Sequence, residues 1–179
     1  MKITRSWYFY FGIIILSVLI IAFTVYFHLG GLKEIQVRAY PEVNYSLAGT
    51  EFKGNYDDPE IQVLYKKAKE LVLSGDINGI LSVIDYPDLD LGEKEVRLFI
   101  GIILKEKITE IPTNYKVRKI ESRGALGVEL DMHPFVRPTK DDIESEIYLT
   151  AQKNGLDIEA YFLEKHFKDD RIKVEAFLK

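Results

Sequence analysis

The run from Ser6 to Gly31 constrains this chain most, because it contains no Asp, Glu, Lys or Arg. Within it, Trp7 to Leu29 is a stretch of 23 mainly apolar and aromatic residues. As a helix this stretch is about 34 Å long, against about 30 Å for the hydrocarbon core of a bilayer. Trp7 lies at one end and Tyr26 near the other, where aromatic rings favour the lipid–water interface. We therefore predict a transmembrane helix over residues 7–29, ended by the glycine pair that follows.

A cleaved signal peptide is the alternative interpretation of this run. The apolar region of a signal peptide is about 7–15 residues long and ends in a site of small residues. This run is longer and ends in Phe27-His28-Leu29-Gly30. The sequence therefore favours an uncleaved anchor. A polytopic membrane protein is excluded, because no second run of this kind follows.

The basic residues beside the helix bear on its orientation. Lys2 and Arg5 precede the helix, and Lys33 and Arg38 follow it, so the positive-inside rule counts two on each side. The short basic tail before the helix is typical of a signal anchor. We expect a single-pass membrane protein with its N-terminus in the cytoplasm and the rest of the chain outside it.

Residues 32–179 form the second predicted domain, after an anchor of residues 1–31. This part holds 22 basic and 28 acidic residues, a net charge of −6. Such an acidic balance argues against nucleic acid as a partner, since that function needs a basic face to neutralise phosphates. The chain has no cysteine, which excludes disulfides, thiolate catalysis and cysteine metal sites.

Hydrophobic periodicity divides this domain into two similar halves. In the first half, strands are expected over 35–49 (interrupted at Pro41), 81–86 and 96–104, with a helix over 58–75. In the second half, strands are expected over 115–130 (with a bulge at Gly124), 158–163 and 172–178, with a helix over 139–154. The strand over 96–104 has almost no polar side, so we expect it to be central and covered on both faces.

Each half reads β-α-β-β, which predicts an α+β fold built as a tandem βαββ repeat behind one transmembrane helix. Two halves of this size, each exposing one sheet face, bury a shared core when they pair. Pairing also leaves a pseudo-twofold groove between them.

Several local motifs, taken in chain order, resemble a known family. They are Gly54-Asn55-Tyr56, Ile84-Asp85-Tyr86-Pro87, the strand Glu95–Ile102, Ile111-Pro112 ahead of Tyr115-Lys116-Val117, Asn154-Gly155, and Glu159-Ala160-Tyr161. Over residues 35–179 the chain resembles the GyrI-like small-molecule-binding domain, also called the AraC effector-binding domain. The resemblance implies the tandem βαββ fold with its groove, and the binding of a small molecule there.

The resemblance also implies which residue binds the ligand. In ligand-binding members a glutamate at the groove floor faces hydrophobic cations, and Glu159 is the residue here that matches it. The chain departs from the family at Met132-His133-Pro134-Phe135, where a glycine-tyrosine turn is usual. It also lacks the DNA-binding domain of the transcription-factor members, so we do not expect a regulator of that kind.

The predicted ligand site comprises Glu159, Tyr161, Tyr86, Phe52 and Tyr56. A carboxylate beside aromatic rings suits an organic cation, through charge pairing and cation–π attraction of about 0.5–2 kcal/mol. Tyr86 ends a neighbouring strand, and Phe52 and Tyr56 precede the first helix and would cover the groove. Each has a structural alternative: a solvated strand carboxylate, aromatic side chains of the core, or a turn tyrosine.

We expect no metal, no cofactor and no catalytic residue. Glu129, His133 and His166 lack ligand spacing on a shared element, and no serine lies in a nucleophile elbow. Some family members hydrolyse strained small rings with a groove glutamate, a tryptophan and a tyrosine. Here the one tryptophan is Trp7, in the anchor. The sequence therefore predicts a binding protein and not an enzyme.

The alternative function is a protein-interaction module tethered to the membrane. The family includes gyrase-binding members and a membrane-anchored autophagy receptor of animals with the same order of anchor and domain. That receptor relies on a long tail after its domain, whereas this sequence stops at Lys179, on the last predicted strand. A protein partner would therefore bind the surface of the domain.

Overall fold

A computed structural model describes residues 5–87, 92, 94–106 and 111–179; Lys2, which entered the orientation argument, lies outside them. The N-terminal helix α1 spans Arg5–His28, and its side chains from Trp7 onward are exposed. Among the described residues it is the one helix long and apolar enough to cross a membrane. The predicted helix is confirmed as a helix, and its insertion in a bilayer stays a prediction.

The end of α1 is closed by the glycine pair and a tyrosine. Gly30 has a φ of +87°, a left-handed conformation that favours glycine. The Tyr26 hydroxyl donates a hydrogen bond of 2.5 Å to the carbonyl of Gly31. A side chain on Gly31 would overlap the Tyr26 ring. The predicted helix end is therefore confirmed.

A segment from far along the chain belongs with this helix. The backbone N–H of His133 donates to the carbonyl of Leu29 at 3.1 Å, and Pro134–Val136 forms a 3₁₀ turn. By its contacts the chain divides into one unit of Met1–Glu34 with Met132–Pro138, and another of Ile35–Asp131 with Thr139–Lys179. The predicted boundary after Gly31 remains a proposal.

The second unit contains an eight-stranded sheet in which all neighbouring strands are antiparallel. The strands are β1 Val37–Tyr40, β2 Val43–Asn55, β3 Gly79–Asp85, β4 Glu95–Leu104, β5 Lys116–Ser122, β6 Ala125–Leu130, β7 Ile158–His166 and β8 Ile172–Leu178. Their order is β1-β6-β8-β7-β3-β4-β2-β5. With two helices beside the sheet, the α+β class is confirmed.

Two helices begin at the caps that the sequence predicts. Helix α2 spans Pro59–Ser74, and the Asp58 side chain accepts the N–H of Glu60 at 2.8 Å. Helix α3 spans Lys140–Lys153 and begins with a capping box between Thr139 and Asp142.

Both helices cover the same face of the sheet. Tyr65 of α2 contacts His166, and Tyr148 of α3 contacts Phe162. His166 and Phe162 are four positions apart on β7. Side chains at an even spacing along a strand point to the same side. We call this side the helix face. Its apolar cluster under α2 comprises Ala68, Val72, Ile77, Leu81 and Ile102.

The opposite side, which we call the aromatic face, holds the larger core. Its buried members are Val43, Leu47, Ile84, Phe99, Ile103, Ile120, Ala125, Leu163 and Phe177, with Tyr40, Tyr45, Ile80, Tyr86 and Tyr161 packed against them. Strand β4 contributes to both clusters and lies between β2 and β3. Its predicted central position is therefore confirmed.

The sheet curls around its aromatic face. Strands β2 and β8 are separated by three others, so a flat sheet would hold them about 19 Å apart. However, the hydroxyl of Tyr45 in β2 lies 3.5 Å from a carboxylate oxygen of Glu175 in β8. The parts of the sheet around β2 and β8 therefore face each other.

Strands β5 and β6 correct the prediction of one strand over 115–130. Strand β5 ends at Ser122 and pairs with β2 at one edge, whereas β6 begins at Ala125 and pairs with β1 and β8 near the other. The Ser122 hydroxyl lies 2.7 Å from the carbonyl oxygens of both Gly124 and Leu178. So short a link suffices because the curl brings the two edges together. The alternation of apolar and polar residues does not indicate where a strand ends and the next one takes a different partner, so the sequence predicted a single strand.

Candidate functional site

Four aromatic rings form a continuous row on the aromatic face. The ring centroids of Tyr86 and Tyr161 are 5.5 Å apart, those of Tyr161 and Phe177 are 5.6 Å apart, and those of Phe177 and Tyr45 are 6.2 Å apart. These are ordinary distances for packed aromatic pairs. The three tyrosines are partly buried and Phe177 is fully buried. We call these four residues the aromatic row.

Strand pairing explains why these rings meet. In β3 and β7, Ile84 pairs with Leu163 and Asp85 with Phe162, so Tyr86 and Tyr161 are the next positions of the same ladder. Residues that face each other across antiparallel strands bring their side chains within contact. Tyr45 joins from β2, which the curl of the sheet brings opposite to β8.

Two guanidinium groups lie at the Tyr86 end of the row. Arg118 is 5.0 Å from the centroid of the Tyr86 ring and 5.4 Å from that of Phe99. Arg97 is 5.4 Å from the Tyr86 centroid and donates to Glu51 at 2.7 Å. That hydrogen bond holds the pKa of the Glu51 carboxyl below its usual value. Within the described ranges, Arg118 has no carboxylate at ion-pair distance.

A buried charge cluster lies at the Tyr45 end of the row. Glu175 is fully buried, and Lys165 is 5% exposed. Lys165 Nζ lies 2.6 Å from Glu175 Oε2, and Lys173 Nζ lies 2.7 Å from Oε1. Lys165 also donates to the Tyr45 hydroxyl at 2.7 Å. The contact at Oε2 is an ion pair without hydrogen-bond alignment, which leaves that oxygen with no hydrogen bond.

Burial sets the protonation of this cluster. Desolvation lowers the pKa of Lys165, and the charge of Glu175 opposes that change. Desolvation raises the pKa of Tyr45, and the Glu175 charge raises it further. Tyr45 is therefore a neutral hydrogen-bonding group over the ordinary pH range, and one carboxylate is shared by two lysines.

Glu159 lies beside the row, two residues before Tyr161 on β7, and is partly buried. Burial raises the pKa of Tyr161, the Glu159 charge raises it further, and Arg118 lowers it. Both charges therefore act on the same ring. In the part of the chain that the structure describes, Glu159 makes no ion pair.

The structure brings three of the five predicted site residues together. Tyr86 and Tyr161 are in contact, and Glu159 is close enough to Tyr161 to shift its pKa. Phe52 is buried, and alternation along β2 puts it on the helix face, opposite to Leu47 and Tyr45. Tyr56 is exposed in the loop after β2. Ligand binding by any of the five stays a prediction.

The buried cluster and Arg118 were not among the residues predicted from the sequence. One signal was available in β8, where alternation puts Lys173, Glu175 and Phe177 on the same side of the strand. A strand side that faces only solvent or only core rarely combines two charges with a phenylalanine. The signal for Arg118 is absent, since an alternating basic residue on an edge strand looks like any solvated position.

A separate cavity of about 300 Å³ lies away from the row. It is lined by Val72, Gly79, Ile80, Lys105, His166, Phe167, Lys168, Asp169 and Arg171. Arg171 is already paired, with Asp169 at 2.7 Å and with Glu129. None of the predicted site residues lines this cavity. In the described residues, no group of three His, Asp or Glu side chains is placed to hold a metal ion.

Comparison with known proteins finds likeness in structure. No protein-family model matches the chain, and no curated protein matches it. The C-terminal domain of EcmrR aligns with a TM-score of 0.53 and 12% identity, over 83% of this chain and 98% of that one. Two hydrolase structures from Listeria innocua align with TM-scores of 0.51 and 0.50 and identities of 13% and 14%, each over 82% of this chain and 92% of its own. At these identities the likeness concerns the fold.

The hydrolase neighbours correct one expectation from the sequence. The prediction that this chain is not an enzyme is contradicted, because its fold is shared with two structures described as hydrolases. The prediction rested on missing sequence motifs. A fold can assemble reactive groups from separate strands, so a missing motif does not exclude catalysis.

Proposed function

We propose that this chain is a membrane-anchored protein whose sheet domain binds a small amphipathic molecule with a positive charge. The aromatic row carries the proposal, because three partly buried tyrosines offer ring surface around the buried Phe177, and charged groups lie at both ends of the row. Ligand sites typically combine such a surface with a few placed polar groups. The sequence motifs of the GyrI-like domain support the same function.

The strand order supports the tandem repeat that belongs to this proposal. Strands β2, β3 and β4 with α2 correspond to β6, β7 and β8 with α3, each in the order βαββ. Counted outward from the centre of the sheet, one half runs β7-β8-β6-β1 and the other half runs β3-β4-β2-β5. Corresponding strands therefore occupy corresponding places in the two halves. We infer a pseudo-twofold axis between β3 and β7, beside Tyr86 and Tyr161.

The charges around the row favour a cation at the Tyr161 end. Glu175 is neutralised by two lysines, and Glu51 by Arg97. Glu159 thus remains as the carboxylate for a ligand near Tyr161, where a cation gains both charge pairing and cation–π attraction. Arg118 would repel a cation at the Tyr86 end, so we expect the uncharged part of the ligand there.

Two ions of the same shape and opposite charge test this proposal. The full chain in detergent micelles is titrated calorimetrically with tetraphenylphosphonium and with tetraphenylborate. We expect the cation to bind, and Glu159→Gln to weaken it about tenfold, which corresponds to about 1.4 kcal/mol. Glu164→Gln is the matched control, because it removes the same charge from the same strand on the helix face.

Each outcome of the titration decides a different part of the proposal. Tighter binding of tetraphenylborate would show that Arg118 and the lysines set the charge of the ligand. Equal binding of the cation by the wild type and Glu159→Gln would remove Glu159 from the site. Binding of neither ion would contradict ligand binding on the aromatic row.

The exposed surface of α1 supports the anchor. Apolar side chains around the whole helix are exposed, and such a helix is stable in lipid and not in water. We propose that residues 1–31 form the anchor and residues 32–179 the binding domain. The N-terminus then lies in the cytoplasm.

A further inference from the structure

Phe135 is the most exposed large apolar side chain in the described part of the chain, at 89%. It lies in the segment Met132–Pro138, which connects β6 to α3 but belongs by its contacts to the same unit as α1. A single exposed apolar side chain is ordinary on a protein surface, so the decisive feature is where this ring lies relative to the apolar helix.

The level of Phe135 along the helix axis follows from one hydrogen bond. The N–H of His133 donates to the carbonyl of Leu29 at 3.1 Å, one residue beyond the end of α1. Phe135 is two residues further, so its backbone lies within about 7 Å of His133 along the axis, in either direction. If α1 spans the hydrocarbon core, Leu29 lies at its edge, and the polar interface beyond is about 5–8 Å thick.

The segment is also held in shape. The rings of His133 and Phe135 stack at 5.2 Å with an interplanar angle of 24°. His133 Nδ1 accepts the N–H of Phe135 at 3.4 Å, and Arg137 Nε donates to the carbonyl of Met132 at 2.9 Å. A ring held in this way loses little conformational freedom when it is buried.

We propose that Phe135 inserts into the lipid–water interface, so that the chain contacts the bilayer a second time through residues 132–138. This inference rests on the proposed membrane anchor. Aromatic side chains are favoured at this depth. The lipid surface is favoured over a protein partner because Phe135 is tied to the residue where the apolar helix ends.

Fluorescence quenching by brominated lipid tests the insertion in the full chain. Trp7 is the single natural tryptophan. The wild type reports on the anchor, and the double variant Trp7→Phe, Phe135→Trp reports on the segment. Both are reconstituted into vesicles of phosphatidylcholine brominated on the upper acyl carbons, and the same vesicles without bromine give the unquenched reference. We expect strong quenching in both proteins.

The two fluorophores separate the two proposals. Quenching in the wild type but not in the double variant would overturn the insertion of Phe135 and leave the anchor in place. No quenching in either protein would overturn both. Quenching in the double variant that is stronger for bromines near the head groups than for bromines deep in the acyl chains would establish the interfacial depth.

Discussion

The two faces of the sheet are both buried, but by different means. The helix face under α2 is filled by small and aliphatic side chains, including Leu81 and Ile102. The aromatic face contains rings, and at one end a fully buried carboxylate between two lysines. A helix lying on a sheet supplies apolar surface along its length. The curled sheet instead closes on itself, so charged strand positions that would be solvated in a flat sheet are enclosed.

Because they are filled by different means, the two faces should respond to different perturbations. The helix face depends on filled volume, since loss of a side chain there leaves a cavity. The aromatic face depends on the balance of charge, since a buried ion without its partner is strongly unfavourable. Substitutions matched in size or in charge distinguish the two cases.

Neutralising Glu175 should have the largest effect. Glu175→Gln leaves Lys165 buried without its counter-charge, and we expect the free energy of unfolding to fall by about 3–5 kcal/mol. Urea denaturation of the full chain in micelles measures the loss. Leu81→Met on the helix face keeps volume and should cost less than about 1.5 kcal/mol. Equal costs for the two variants would remove the distinction between the faces.

A cavity on the helix face should come next. Ile102 is fully buried, and Ile102→Ala is expected to cost about 2–5 kcal/mol through lost burial and an unfilled space. The same denaturation at low and high salt should give the same loss, because no charge is involved. Tetraphenylphosphonium binding should also be unchanged, and weakened binding would show that the two faces are coupled.

The charge pair at the rim of the aromatic face should matter least. Arg97 and Glu51 are each about one-third exposed, so Arg97→Gln should cost at most about 1 kcal/mol. The pKa of Glu51 lies below its ordinary 4.5 in the folded chain. The pair therefore contributes its full stability above that value, and the contribution is lost as the pH falls through the lowered pKa.

Comparing the unfolding of wild type and Arg97→Gln at neutral and acid pH measures this effect. The difference between them should shrink in acid. A difference that persists where Glu51 is protonated would mean that Arg97 stabilises the fold through contacts other than the carboxylate, such as the Tyr86 ring.

The sequence predicted what local patterns encode. Asp58-Pro59 and Thr139 start helices for reasons of backbone hydrogen bonding, and the two-sided apolar pattern of β4 fixes a central strand. Tyr86 and Tyr161 were both expected at one site, and they are in contact.

The rest depends on contacts between distant residues, which a single pattern does not carry. One alternating run became β5 and β6 because the curl of the sheet, and not the run itself, decides the partners. Phe52 was expected in the groove. It is five positions after Leu47, an odd spacing that puts it on the opposite face, but this follows only once β2 is known to be unbroken between them. The burial of Glu175 follows only from closure of the sheet.

The pairing of β1 has a consequence for biosynthesis. Val37 lies shortly after α1, and its partner Val128 is made roughly 90 residues later, about 5–18 s at ordinary rates of translation. During that interval β1 has no partner strand, and β8, which flanks β6, is made later still. Closure of the sheet is therefore a late event, and contacts this distant in sequence slow folding. A nascent chain paused before β6 would expose an open sheet edge, and unpaired edges of this kind are prone to aggregation.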